Sequence, residues 1–222
     1  MGNRAGQGVS RSTKRKENLI AAAQRAIAEH GTAVRLNQIA RQAGITSSAI
    51  LYHYPDIDDL LVEANRAGME RFYNQRLEAI ASFAEPADRL RVLIELGVPR
   101  DPNDEEVRLL CALGGEAARN TVYALLLTSL YDRQVGMYTS ILEFGQATGS
   151  FVLQQSAATI ARNVVALEDA YGYRIMAKHP TLDNQVAVEL ILDYARMATG
   201  NPLIRPSRIE NVKSLRRTQK EH

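Results

Sequence analysis

The sequence predicts an all-α protein in two parts, a small helix-turn-helix head and a larger helical body, and three observations carry that prediction. Apolar residues recur at helical spacing almost throughout. Val/Ile/Thr runs with strict alternation are missing, and no two apolar runs are joined by Asn-Gly or Asp-Gly, the strongest short hairpin signals.

A first helix is expected from about Ser12 to His30, with Leu19, Ile20, Ala23 and Ile27 as its apolar stripe and Gly31 placed for a left-handed cap. A second covers about Leu36 to Ala43 and ends at Gly44. Thr46 can then accept hydrogen bonds from the open amides of a third short helix, about Ser47 to His53. Pro55 stops that helix. Asp56 caps a fourth, whose first turn carries Asp58 and Asp59 where the helix dipole favours negative charge, and which continues to about Phe83. Breaks at Glu85-Pro86, Gly97 through Pro102, Gly149 and His179-Pro180 leave helices near 86–96, 104–118, 121–147, 156–178 and 184–199. After Gly200-Asn201-Pro202 the basic tail reads as a mobile segment with room for a short helix.

The formal net charge of +2 conceals an asymmetry. Residues 1–55 hold 8 Lys/Arg against 2 Asp/Glu, residues 56–204 hold 13 against 21, and residues 205–222 hold 6 against 2. A basic head on an acidic body points to a polyanion partner for the head, although charge alone fits a solvated basic arm equally well. One cysteine, Cys111, cannot form an internal disulfide and reads as a small core residue. Four histidines at 30, 53, 179 and 222 share no metal-ligand spacing, so no metal and no cofactor are expected. The longest apolar segment, from Val122 to Tyr131, is broken by Thr128 and Ser129 and falls short of the ~20 residues of a spanning helix. With a polar, basic start, the expectation is a cytoplasmic protein with no membrane partner.

Two short helices joined by Ala43-Gly44-Ile45-Thr46 have the layout of a helix-turn-helix, in which the second helix enters the major groove. Its N-terminal side chains, Thr46, Ser47 and Ser48, are small and hydroxylic. Ala49 and Leu51 can meet a thymine methyl, Tyr52 and His53 can reach phosphates, and Ile45 and Ile50 would face the core. The stretch from Asn18 to Leu61 resembles the TetR-type (tetracycline-repressor-like) transcriptional regulators. Ile39-Ala40, Ala43-Gly44-Ile45-Thr46, Tyr52-His53-Tyr54 and Leu60-Leu61 follow that family's order and spacing. Three positions depart from it: Arg35 replaces a Ser or Thr cap, Leu51 a phosphate-binding Tyr, and Ile57 a phosphate-binding Lys. The arm residues Arg11, Lys14, Arg15 and Lys16 can compensate, and with Arg35, Thr46, Ser47, Ser48, Ala49, Leu51, Tyr52 and His53 they form the expected DNA-binding set.

The segment from Phe144 to Met176 resembles the C-terminal half of the betaine-repressor (BetI-like) subgroup. The resemblance implies a homodimer whose last two helices pair into a four-helix bundle, a ligand cavity in each body, and DNA binding governed by a small-molecule effector. The domains are then residues 1–55 (arm and head), 56–200 (ligand-binding and dimerisation, with 56–83 as connector) and 201–222 (tail). The last two helices are apolar around most of their circumference, which makes Ile160, Val164, Leu167, Val186, Leu190, Ile191 and Tyr194 the expected interface. The same pattern also fits central core helices of a monomer. Glu168-Asp169 interrupts an apolar helix, and two adjacent carboxylates there are costly unless paired, hydrated or serving a ligand. With Glu116, Arg119, Tyr123, Tyr171 and Tyr173 they could form an acidic, aromatic cavity for an amine or quaternary ammonium ion. Salt bridges of the pair to Arg162 or Arg174 are the bland alternative.

The expected function is therefore a ligand-responsive repressor, binding double-stranded operator DNA as a homodimer. Two readings from other classes compete. An all-α enzyme could hold magnesium on Asp56, Asp58 and Asp59, but that spacing fits helix capping, and no nucleophile elbow, phosphate loop or His-Glu-x-x-His occurs. A helical protein-binding scaffold would leave the basic arm and the hydroxyl-rich short helix unexplained.

Overall fold

The computed structural model describes residues 4–202 and 204–205; side chains are described from residue 13 on, apart from Thr32 and Leu113. The expectation for the tail falls on residues 206–222, outside the described ones. Nine α-helices and one short 3-10 turn (Gly31–Ala33) make up the regular structure among the described residues, with no strand. They are α1 (Arg4–His30), α2 (Leu36–Ala43), α3 (Ser47–His53), α4 (Ile57–Ala81), α5 (Pro86–Gly97), α6 (Glu105–Ala117), α7 (Thr121–Ala147), α8 (Ala157–Met176) and α9 (Asn184–Thr199). The helix α1 begins at Arg4 rather than near Ser12. Once a helix is nucleated, each added residue gains a hydrogen bond without a new nucleation cost, so the polar arm extends it backward.

By contact the chain divides into two units, the first holding residues up to 71 together with 105–127, the second 72–104 together with residues from 128 on. The first unit is built on Leu19, Ala22, Ala23, Ala26 and Ile27 of α1, Ile39 and Ala40 of α2, Ile50 of α3, Leu60 and Ala64 of α4 and Leu109 of α6. Small alanines bring the helices close, and each fully buried Leu or Ile contributes roughly 1.5–3 kcal/mol. Leu109 reaches this core because Gly68 stands opposite; a Cβ there would lie 2.4 Å from its Cδ2. A polar strap joins α1, α4 and α6: Gln24 Nε2 donates to the Ala64 carbonyl at 2.8 Å, Arg71 Nη1 to Gln24 Oε1 at 2.9 Å, and Arg71 Nε to Glu106 Oε1 at 3.2 Å.

The second unit packs Leu90, Leu93 and Ile94 of α5, Tyr138, Ile141 and Leu142 of α7, Ile160, Val164 and Val165 of α8, and Ile191 and Leu192 of α9 around one core. Its helices start as their first residues dictate. Pro86 occupies the first turn of α5, Ser156 Oγ accepts from Thr159 N at 3.1 Å, and Asp183 Oδ1 from Val186 N at 2.9 Å. Gly145 sits against the ring of Phe151, where an added Cβ would lie 2.1 Å from Cδ2. The segment after α7 is tied to the end of α9 by Val152 N donating to Thr199 O at 2.8 Å and Gln154 N to Ala198 O at 2.9 Å.

Candidate functional site

The turn between α2 and α3 is fixed by backbone chemistry. Gly44 adopts φ 67°, in the left-handed region, and its N–H closes the end of α2 on the Ala40 and Arg41 carbonyls. Thr46 Oγ1 accepts from Ala49 N at 3.3 Å and so starts α3. Arg35 has no side-chain acceptor to cap α2; Gln38 Oε1 instead reaches back to the Arg35 N–H at 2.7 Å, so the missing Ser or Thr is half replaced. Arg25 Nη2 donates to the Gln42 carbonyl at 3.2 Å, tying α1 to the end of α2. Ile50 anchors α3 in the core with no exposed surface, and half-buried Ile45 and Ile57 pack against the same core.

With Ile50 turned inward, α3 presents its other residues to solvent. Tyr52 is 84% exposed and Leu51 41%; Thr46 and Ser48 are exposed, and Ser47, Ala49 and His53 are half-buried. The Tyr52 and His53 rings meet edge to face with centroids 5.2 Å apart. Lys14, Arg15, Lys16 and Arg35 are exposed, while the side chain of Arg11 lies outside the described ones. Sequence reasoning did not give Tyr54 a role: it is buried, its hydroxyl donates to Glu63 Oε2 at 2.7 Å, and the Lys16 ammonium stands 5.7 Å from its ring centre. Burial and Glu63 hold that hydroxyl well above the ordinary phenol range, so it stays a neutral donor linking the end of α3 to α4.

The six expected ligand residues do not come together in one unit. Glu116, Arg119 and Tyr123 belong to the first and Glu168, Asp169 and Tyr171 to the second. Glu168 is not a free acid facing a ligand, nor does it pair with Arg162 or Arg174. It is 3% exposed and takes the Arg76 guanidinium, with Nη2 2.9 Å from Oε1 and 3.2 Å from Oε2. The same Nη2 donates to the Leu93 carbonyl and accompanies the Tyr138 hydroxyl, each at 3.0 Å, and Tyr138 itself donates to Glu168 in a short hydrogen bond. Phe72 and Tyr138 turn ring faces to the guanidinium, 5.1 and 5.7 Å away. An acidic, aromatic cation site is thus present, and the chain's own arginine fills it. Gly97 makes the approach feasible, since a Cβ there would lie 1.9 Å from Glu168 Oε1. Burial outweighs the Arg76 charge and pushes the Glu168 carboxyl up to about 7. Asp169 is exposed and Tyr171 half-buried.

In the first unit Glu116 and Tyr123 do share a cavity of about 170 Å³, bordered also by Ile27, Asp58, Leu61 and Asn65. Arg119 is exposed and not part of its wall. Among the described residues no group of three or more His, Cys, Asp or Glu side chains converges to hold a metal ion, and no helix is long and apolar enough to cross a membrane.

Residues 19–64 match the family model for bacterial regulatory proteins of the tetR family. Over 184 residues the chain is 26% identical to the HTH-type transcriptional regulator BetI of Rhizobium meliloti (strain 1021), covering 81% of this chain and 87% of that protein. The head of the chain, residues 19–64, is that of the tetR family of bacterial regulatory proteins. The BetI protein of Agrobacterium fabrum is similarly related, 25% identical over 82% of this chain and 87% of its own length. The fold of the chain matches that of a Saccharomonospora viridis transcriptional regulator crystallised with choline (TM-score 0.77, 23% identity, 84% of this chain and 98% of the other). It also matches a TetR regulator from Haloarcula marismortui (TM-score 0.74, 21% identity, 84% and 99%). These similar proteins are regulators rather than enzymes.

The last two helices, α8 and α9, sort the expected interface residues. Ile160, Val164 and Ile191 have no exposed surface and belong to the chain's own core, which removes them from any face that a second copy could reach. Leu167 and Tyr194 are half-buried, and Tyr194 Oη accepts from Asn163 Nδ2 at 2.8 Å. Val186 and Leu190 are 38% and 42% exposed and, with Met197 at 74%, form an apolar edge along α9.

Proposed function

We propose that this regulator is a repressor that binds operator DNA as a homodimer and is released by a small-molecule effector, an amine or quaternary ammonium compound. The observation that carries the DNA reading is α3: a short helix held by Ile50 that turns Tyr52, Leu51, Thr46 and Ser48 to solvent beside exposed Lys14, Arg15 and Lys16. Hydroxyl and apolar side chains suit base edges, and the lysines and arginine suit phosphates. In this reading residues 1–55 are the reading head and 56–200 the effector and dimer body. The apolar edge of α9 supports pairing of two copies, and a dimer reads two successive major grooves with its α3 helices about 34–36 Å apart. The kinship to two proteins named BetI and the choline held by a protein of the same fold support an ammonium-type effector. An effector that binds better when the two reading helices stand at another spacing weakens DNA binding by that difference in affinity.

Fluorescence anisotropy with the DNA flanking the regulator's own gene, across a salt series and against random duplex, tests this. Tight, competitor-resistant binding with a steep salt slope is expected. Replacing Lys14, Arg15 and Lys16 together by Ala should shallow the slope by roughly 0.9 for each phosphate no longer neutralised. Ser47→Ala and Tyr52→Ala should each weaken operator binding while leaving random-duplex binding unchanged, and choline should release the operator. Binding no tighter than to random duplex overturns the DNA reading.

A further inference from the structure

We propose that residues 206–222 fold back along the exposed edge of α9 in their own chain, and so compete there with the second copy that the dimer reading assigns to it. The competition rests on that reading. The fold-back rests on α9, on the course of the chain after it, and on the sequence of the tail.

Val186, Leu190, Asp193 and Met197 fall on one stripe of α9 at helical spacing, all exposed, with exposed Glu189 alongside. The edge is apolar with an acidic flank. Asp193 is met by Arg196, whereas Glu189 accepts from the neutral Gln185 amide at 3.2 Å, so the flank keeps a negative charge. The course of the chain leads to this edge. Gly200 ends α9 at φ 63°, Arg196 Nη1 then donates to the Ile204 carbonyl at 2.6 Å, and the Ile204 side chain is fully buried in the core of the second unit. The chain has thus doubled back by about one turn of α9. Glu189 and Asp193, seven and three positions before Arg196, lie on the side of the helix to which it returns.

The tail supplies the complement. Ser207-Arg208-Ile209-Glu210 is a capping box, the signal for a helix starting at Arg208. Ile209, Val212 and Leu215 then recur every third residue, with Lys213 and Arg216 four and seven after Ile209, so that a helix here carries an apolar stripe beside a basic one. Residues 206–222 hold five Lys/Arg against two Glu, opposite in sign to the flank of α9. The edge from Arg196 back to Val186 runs about 15 Å, and residues 208–222 span about 22 Å as a helix, enough to cover it. Phosphates would use the basic residues but leave Ile209, Val212 and Leu215 in water.

The chain contains no Trp, so Leu215→Trp in the full chain gives one indole that reports the tail alone. Its emission should be blue-shifted and its quenching by acrylamide several-fold slower than in a free 206–222 peptide carrying the same change, independent of protein concentration. Leu190→Asp in that background should return quenching to the rate of the peptide; if that variant fails to fold, Met197→Asp tests the same edge at its most exposed position. Raising the salt should weaken the protection, since charge contributes to it. Glu78→Gln, exposed on α4, should leave it unchanged. Quenching like that of the peptide overturns the fold-back. Protection that vanishes on dilution overturns it too, because a second copy then supplies the cover. Sedimentation velocity reads the competition: Ile209→Asp, Val212→Asp and Leu215→Asp together should tighten self-association several-fold. A protected indole with unaltered self-association overturns the competition, and with it the place of the second copy on α9, while the fold-back stands. No DNA is present, so these outcomes are distinct from failure of the operator reading.

Discussion

In the second unit the carboxylate of Glu168 is closed off by Arg76 and Tyr138 of the same chain, whereas in the first unit Asn65 holds its Nδ2 on the Leu61 carbonyl and keeps a buried Oδ1 without a hydrogen-bond partner. Both arrangements place costly polar groups among apolar neighbours. The difference is whether the chain supplies the partner. A carboxylate set in an apolar helix signals a ligand only when the chain has not supplied its own counterion, and Glu168, the more conspicuous of the two in sequence, is the one already answered.

The sharpest way to break this comparison is Arg76→Met, which leaves Glu168 buried without its counterion and should cost about 3–5 kcal/mol in denaturant unfolding. Adding Glu168→Leu should recover most of that loss, because well-packed apolar residues often replace a buried ion pair at no net cost. A single variant within 1 kcal/mol of wild type would remove the pair from the stability of the body. Next comes pH. The Glu168 carboxyl is raised from 4.5 to about 7 in the folded protein, so between those values the folded state holds a proton that the unfolded state has lost. Its contribution is full below pH 4.5 and is lost as pH rises through 7, by at most about 3 kcal/mol. Stability of the wild type measured against Glu168→Gln should therefore fall across that window, and a flat or rising difference contradicts it.

Gly97→Ala drives a methyl into the Glu168 carboxylate and should cost about 1–3 kcal/mol, as overpacking does. Gly136→Ala, where an added Cβ meets nothing within 4 Å, is the matched control and should be neutral or slightly stabilising. The smallest effect lies in the first unit. Thr46→Ala removes the cap of α3 and should cost about 1 kcal/mol, read by thermal unfolding.

Local signals made the helices legible. Gly44, Thr46, Pro86 and Gly200 mark ends because a left-handed cap, a capping oxygen or a missing N–H acts within one turn. The start of α1 was harder to place, since a polar arm carries no periodicity to show where a helix begins. Apolar periodicity also could not say which side of α8 and α9 faces inward. Both helices are apolar on more than one side, so Ile160, Val164 and Ile191 read as interface when they are core. Arg76 was missed because its partner lies 92 residues away in sequence. A local hint was present: Phe72, Arg76 and Ile80 are spaced four residues apart on one face of α4, and an arginine between two apolar residues of a buried stripe calls for a buried anion.

The packing of Gly145 against Phe151 has an evolutionary consequence. A side chain at 145 needs the space the ring occupies, so position 145 can enlarge only in lineages where position 151 has already shrunk. The two positions are sterically coupled, and among descendants of this protein a small residue at 151 should precede any branched residue at 145.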